Sequence, residues 1–234
     1  MREYKDCYIA VLDLLGFKCA LNKYDCETIA SFFDEVNNEY IISFDKTKKP
    51  IVDHKDIHIK VMSDTVCIYI ETSIPNALTA LIATCDYLQI RMLCLEHPIL
   101  LRGAIVRGDL YHYNDVIFGN GFVKAYKMQE EEAVYPRVII DNETLEGYTP
   151  YDEAGKKYLD KNMIVDCVDS KYVSDYLFIF YGLNHEKESW KNFSKFVYRK
   201  AECENNERIR EKYIYLKNQF QRVSEKYLNY LEES

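Results

Sequence analysis

Apolar positions along this chain fall into two rhythms, and their alternation lays out the fold. Tyr8–Leu12 (YIAVL) is an unbroken apolar run that reads as a buried strand, closed by Asp13-Leu14-Leu15-Gly16-Phe17. Helical patterning begins near Lys18 and resumes over Glu27–Phe44, where Ile29, Phe32, Phe33, Val36, Tyr40 and Ile41 share a face. Asp45–Lys55 is mostly polar, contains Pro50 and reads as a loop. Ile57–Met62 and Val66–Ile70 are β-type runs flanking Ser63-Asp64-Thr65, which predicts a tight hairpin. Pro75 suits the first turn of a helix reaching about Glu96, and Pro98 closes it. Leu100–Val106 reads as a strand, Gly108-Asp109 as punctuation and Leu110–Tyr113 as a short partner strand. Gly119-Asn120-Gly121 leads into a helix over Phe122–Glu132, and Arg137–Ile140 is a further strand. The order β-α-α-β-β-α-β-β-α-β predicts an α+β fold. Its first half is a ferredoxin-like βαββαβ core with helices on one face of an antiparallel sheet.

The remainder has a different texture. Asn142–Lys171 mixes turns with a strand at Met163–Val168, and Tyr172–Tyr181 is expected to add another. From Glu186 onward the chain is helical, and Ile209, Tyr213, Leu216, Phe220, Val223, Tyr227 and Tyr230 form a heptad-like stripe. Packing on the chain's own core and an intermolecular coiled coil both account for that stripe. The expected organisation is a core over residues 1–145, strands and loops completing it over 146–185, and a helical segment over 186–234.

Composition narrows the functional classes. The 38 acidic against 30 basic residues give a net charge of −8, which argues against general affinity for a nucleic acid backbone. No apolar stretch is long enough for a bilayer span, so no membrane partner is expected. The charged start Met1-Arg2-Glu3 does not read as a signal peptide, so a cytoplasmic location is the expectation. The eight cysteines include no C-x-x-C pair and read as reduced, small core hydrophobes. His54 and His58 share an i, i+4 spacing but approach a strand, so no zinc site is proposed.

Two acids carry the candidate chemistry. In the expected core Asp13 ends the first strand and Asp64 sits in the adjacent hairpin, so both carboxylates reach one end of the sheet. Two such groups repel unless cations lie between them, and oxygen-only donors favour magnesium or manganese. Singly, Asp13 could cap the following helix and Asp64 could be an ordinary turn residue. Removing either acid is expected to leave the fold intact or slightly steadier by relieving that repulsion. Phe118-Gly119-Asn120-Gly121 before a helix, and Gly16-Phe17 after Asp13, offer backbone N–H groups to phosphate, or are simple turns.

These segments resemble the motifs of class III nucleotidyl cyclases, in the family's order, over about residues 5 to 141. Val11-Leu12-Asp13-Leu14-Leu15-Gly16-Phe17 is similar to F-x-D-I-x-G-F, and Ile59-Lys60-Val61-Met62-Ser63-Asp64-Thr65 to I-K-T-I-G-D-A. Arg102-Gly103-Ala104-Ile105-Val106-Arg107-Gly108 resembles R-x-G-I-x-x-G. Phe118-Gly119-Asn120-Gly121-Phe122-Val123-Lys124-Ala125-Tyr126-Lys127-Met128 resembles the W-G-D-x-V-N-x-A-x-R-M helix start. The resemblance implies two Mg2+ or Mn2+ ions per site, held by Asp13, Asp64 and the Leu14 backbone. It implies a nucleoside triphosphate near Gly16, Phe17 and Gly119, cyclised to a 3′,5′-cyclic nucleotide with release of pyrophosphate. It further implies a head-to-tail homodimer, with Lys60 and the aspartates of one subunit facing Lys127 of the other.

Several positions depart from the family. The ribose-orienting Asn falls at Val123, and the transition-state arginine at Lys127, which lacks the planar fork. Arg107 or Arg137 is the candidate replacement cation. The base-selecting lysine is kept as Lys60, but its acidic partner falls at Val116. This divergence resembles the prokaryotic pyrimidine cyclases of Pycsar anti-phage systems, whose cyclic CMP or cyclic UMP activates a separate effector protein. The competing expectation is a catalytically degenerate cyclase-like module that binds a nucleotide or a protein.

Overall fold

The computed structural model describes residues 3–38, 52–114 and 116–233. The central strand β1, Lys5–Leu15, pairs antiparallel with β3, Thr65–Glu71, on one side and with β4, Leu100–Tyr113, on the other. Strand β2, His58–Met62, completes the hairpin with β3, and Ser63 in its turn adopts a positive φ of 60°. Helices α1 (Phe17–Ala20) and α2 (Cys26–Asn38) link β1 to β2, and α3 (Ala77–Leu93) links β3 to β4. The order β2-β3-β1-β4, all antiparallel, is that of the split βαβ ferredoxin-like core expected from the pattern. The expected helix at 27–44 is seen to Asn38, and its last part, with the start of the loop at 45–55, lies outside the described residues.

Alternation along β1 divides the core between two faces. Tyr8, Ala10, Leu12 and Leu14 pack under α3, whereas Cys7, Ile9 and Val11 face the opposite side with Cys67, Ala104 and Val106. The second face is covered in its middle by α4, Asn120–Glu131. The helices therefore do not all lie on one face. Strand β5, Val116–Phe118, curls back on the end of β4, and β6, Val138–Ile140, adds parallel to β4. Helix α3 starts at Ala77 rather than Pro75. Asn76 precedes it with φ 59°, and its side chain accepts from Tyr151 N at 2.9 Å.

The second half departs furthest from the expected pattern. Two helices, α5 (Asn142–Glu146) and α6 (Glu153–Asn162), occupy a stretch read as turns, started by Asp141 and Asp152 caps. Strand β7 spans only Met163–Val165, and β8 only Tyr172–Ser174. The aromatic run after β8, expected as strand, is the helix α7, Tyr176–Gly182. Its residues are buried on several sides, so no helical rhythm shows, and Asp175 caps it. Helices α8 (Lys187–Cys203) and α9 (Glu207–Glu233) pack on α7 around Phe180, Phe193, Tyr213, Leu216, Phe220 and Val223. Leu93, Leu100 and Leu15 of the core join that cluster. Tyr213, Leu216, Phe220, Val223 and Tyr227 of the stripe thus serve the chain's own core, Ile209 is exposed, and the Tyr230 side chain lies outside the described residues. Four of the cysteines expected in the core (Cys19, Cys26, Cys167 and Cys203) are exposed, while Cys7, Cys67 and Cys85 are buried. No helix among the described residues is long and apolar enough to cross a membrane.

Buried ions tie the added elements down. Asp175 accepts from Arg222 at 2.7 and 2.8 Å and from Lys226 at 3.0 Å, both on α9. Asp86 on α3 is buried, pairs with no cation among the described residues, and accepts from Tyr158 Oη at 2.5 Å and Ser174 Oγ at 2.6 Å. Burial raises its pKa from 3.8 to about 7, against the opposing hydrogen bonds from Ser174 and Tyr158. An acid whose pKa is raised on folding favours the native state below its unfolded value and loses that contribution as pH climbs through the folded one. The parent should therefore lose stability between about pH 4 and pH 7. Asp86→Asn, which keeps an acceptor for both donors, should flatten that loss and gain about 2 kcal/mol at pH 8. Urea denaturation at pH 5.5 and 8.0 checks this, and an equal pH slope in both proteins would refute it.

Candidate functional site

The register of three strands builds the site. Asp13 lies opposite Thr65 of β3 and Arg102 of β4, at the end of the row Cys7, Ile9, Val11. Leu14 N donates to Asp64 O at 2.8 Å, so the hairpin turn is held against the end of β1. The sheet thus brings the Asp13 and Asp64 backbones together. Asp13 does not cap α1, whose N-cap is Gly16 with φ 85° and no side-chain cap. Asp64 is exposed in its turn, while Asp13 keeps 22% of its side chain accessible.

The electrostatics of Asp13 differ from a bare repelling pair. Arg102 Nε donates to Asp13 Oδ2 at 2.7 Å, and Arg102 Nη1 donates to Ala133 O at 3.3 Å. Both side chains are mostly buried, so this pair is poorly screened, and loss of Asp13 would strand a guanidinium. The expected steadying on removal of an acid therefore does not apply to Asp13. Oδ1 of Asp13 takes no hydrogen bond among the described residues. Among those residues no cluster of three or more His, Cys, Asp or Glu gathers. The donors present are oxygens, which suits Mg2+ or Mn2+, and magnesium commonly uses one or two carboxylates with water and substrate phosphate. In kind, the residues fit such an ion.

The other candidate positions sort by location. Gly16 is exposed beside Asp13, but the Phe17 side chain is buried in the core, leaving only its backbone for a ligand. Lys60 Nζ donates to Asn114 O at 3.4 Å, which places it beside the hairpin that carries Val116. Val116 is 55% and Val123 50% exposed, and Lys127 is exposed one turn after Val123 on α4. Arg107 is not brought to Asp13. It lies opposite Tyr8 on the α3 face, about 17 Å along β4 from Arg102 at ~3.3 Å per residue, and pairs with Asp6 at 2.6 Å. Arg137 is unsuited as well, being buried in ion pairs with Asp166 and Asp169.

Sequence reading missed the role of Arg102, whose place opposite Asp13 follows from the β1–β4 register. It also missed an aromatic group near Lys60. His58 stacks on Tyr69 at 4.8 Å, His112 meets Tyr69 edge-on at 5.5 Å, and the buried Tyr69 hydroxyl has no hydrogen-bond partner among the described residues. Period-two alternation puts His58 and Lys60 on one face but does not show which rings meet there.

The glycines at the start of α4 have a packing reason. A Cβ on Gly121 would lie 2.5 Å from Ile9 Cδ1 and 2.9 Å from Gly108 C, and one on Gly119 2.2 Å from Asp109 O. Their absence lets α4 sit directly on β4.

The chain matches no protein-family model and no curated protein. Among solved structures it is similar to the catalytic core of a rhodopsin-guanylyl cyclase with converted specificity, in complex with ATPalphaS. That similarity has 10% identity and a TM-score of 0.46, covering 74% of this chain and 97% of the other. It is also similar to the non-canonical dimeric guanylyl cyclase domain of the RhoGC fusion protein from the aquatic fungus Blastocladiella emersonii. There the identity is 11% and the TM-score 0.44, covering 74% of this chain and 98% of the other.

Gly121→Ala should push α4 off the sheet and cost roughly 1–3 kcal/mol of stability. Urea denaturation beside the parent measures it, and an unchanged midpoint would show that α4 does not need this close approach.

Proposed function

We propose that this chain is a metal-dependent nucleotidyl cyclase. It converts a nucleoside triphosphate, CTP or UTP, to a 3′,5′-cyclic nucleotide and pyrophosphate. The observation that supports the reading is the backbone proximity of Asp13 and Asp64 at one end of a ferredoxin-like sheet, each within a cyclase-like motif. Asp13, Asp64 and the Leu14 carbonyl would hold the ions. Bound there, such an ion would supply charge neutralisation for the triphosphate and would acidify the ribose 3′-hydroxyl. Arg102 fixes the Asp13 carboxylate through Oδ2 and leaves Oδ1 for the ion. The 3′-oxygen attacks the α-phosphorus in line, the bond to the bridging oxygen breaks, and pyrophosphate departs. The 3′-proton passes to solvent. Positioning and charge neutralisation supply most of such a rate enhancement.

A second subunit completes the reading. Val116, Phe118, Val123 and Tyr126 expose apolar surface on β5 and α4 next to Lys127, which suits a head-to-tail homodimer in which Lys127 reaches the partner's triphosphate. Val116, which cannot accept from adenine where the resembling motif has an acid, supports a base other than adenine, and the pyrimidine reading follows from the resemblance. The cyclic product would activate a separate anti-phage effector protein. A degenerate nucleotide-binding or protein-binding module is favoured by Val123, which cannot orient a ribose, and by the hold of Arg102 on Asp13.

Incubation of the purified protein with each ribonucleoside triphosphate and manganese decides between them. Cyclic CMP or cyclic UMP with pyrophosphate is expected, abolished in Asp13→Asn and lowered about tenfold or more in Lys127→Ala. No turnover of any triphosphate would leave the module reading.

A further inference from the structure

The C-terminal helix reaches the Asp13 site from the same chain. On the α4 face of the sheet, the pair Asp13 and Arg102 is followed two residues along by the pair Leu15 and Leu100. Leu15 and Leu100 pack into the cluster that contains Tyr213, Tyr215 and Leu216 of α9. Tyr215 stacks on Tyr135 at 4.6 Å, and Ala133, two residues before Tyr135, accepts from Arg102. The helix is therefore anchored from two sides against the surroundings of Arg102.

Arg208, Lys212 and Tyr215 stand at i, i+4 and i+7, which places them on one face of α9. With Tyr215 fixed on Tyr135, Lys212 lies about one turn and Arg208 about two turns along that face. Lys212 is half-buried, and neither it nor Arg208 forms an ion pair among the described residues. Its electrostatic surroundings agree with the placement. Burial, then Arg102, then Arg208 hold the Lys212 ammonium below its usual pKa, while Asp13 and Glu211 act against them. Cations crowded together in a chain of net charge −8 call for an anion to share.

We propose that Lys212 and Arg208 of α9, together with Arg102, form a cationic cradle beside Asp13 that binds the phosphate chain of the substrate. The cradle takes the polyphosphate end of a nucleotide, and it is supplied in cis by the C-terminal helix. It rests on the nucleotide reading for the identity of the phosphate chain, while its position rests on the strand register and the packing of α9. Charge-assisted hydrogen bonds to phosphate hold the leaving group without covalent chemistry.

Isothermal titration calorimetry of the full chain with inorganic tripolyphosphate and magnesium tests it. The parent should bind, Lys212→Met and Arg208→Met should each weaken binding roughly tenfold, and Lys212→Arg and the remote, exposed Lys156→Met should bind like the parent. On the parent itself, tripolyphosphate should protect Lys212 but not Lys156 from amine acylation, read by peptide mass spectrometry. That arm needs no variant to fold. Absence of tripolyphosphate binding by the parent, unweakened binding by well-folded methionine variants, or no protection of Lys212 would overturn the cradle. Should the parent form no cyclic nucleotide yet lose tripolyphosphate binding in the variants, the cyclase reading falls and the cradle stands.

Discussion

The ion pair between Asp13 and Arg102 is the interaction on which the site depends. Asp13 belongs to a strand hydrogen-bonded on both sides, in register with β3 over 7 residue pairs and with β4 over 11. A slip of one residue would turn every core side chain of β1 to the wrong face, so the position of Asp13 is fixed as firmly as the core itself. It interrupts a row that is apolar at Cys7, Ile9, Val11 and Leu15, and a carboxylate there needs a partner. Arg102, directly across the strand, supplies it. Any divalent ion at Asp13 must then share that carboxylate with a guanidinium already 2.7 Å away.

The two faces of the sheet take different loads. One is sealed by α3, buried along nearly its whole length, and contributes mainly stability. The other is covered by α4 in the middle and by α9 past the pair Leu15 and Leu100. Asp13 and Arg102 occupy the strip between these covers, which is why both are mostly rather than fully buried. Chemistry placed on that strip can draw on the sheet for rigidity and on two different helices for charge.

Much of this was legible in the amino-acid sequence, and the exceptions have physical causes. The first four strands are edged by Gly16, Ser63, Asp64 and Pro98, breakers that local rules interpret well, although β1 runs two residues past Asp13, where the sequence places its end. Helix α7 was misread because Tyr176, Leu177, Phe178 and Phe180 are buried together, and a segment apolar on several sides has no period to detect. Helices α5 and α6 are short and polar, and their aspartate caps signal only once a helix is known to follow. Within the candidate site, the motifs singled out Asp13 and Asp64, whose backbones the register brings together. The pairing of Asp13 with a residue 89 positions away, and the exclusion of Arg107 by its face of β4, required the register. Arg137 shows the same limit, since a lone arginine before a strand gives no sign that Asp166 and Asp169 will bury it.

The C-terminal helices are bound to the core by more than apolar area. Asp175 holds Arg222 and Lys226, Asp166 accepts from the Tyr215 hydroxyl, and Arg137 lies between Asp166, Asp169 and the rings of Tyr135 and Tyr215. Each of these groups sits in or against the cluster that also takes Leu15 and Leu100, so undocking α9 would uncover buried charges and the flank of the Asp13 strip together. A ligand that touches both α9 and β1 binds only the docked arrangement and stabilises it by mass action. Ligand binding at the strip and helix docking are on this geometry linked equilibria. The linkage is reciprocal: whatever weakens the hold of Asp175 on Arg222 and Lys226 must also weaken affinity at a site that neither residue touches.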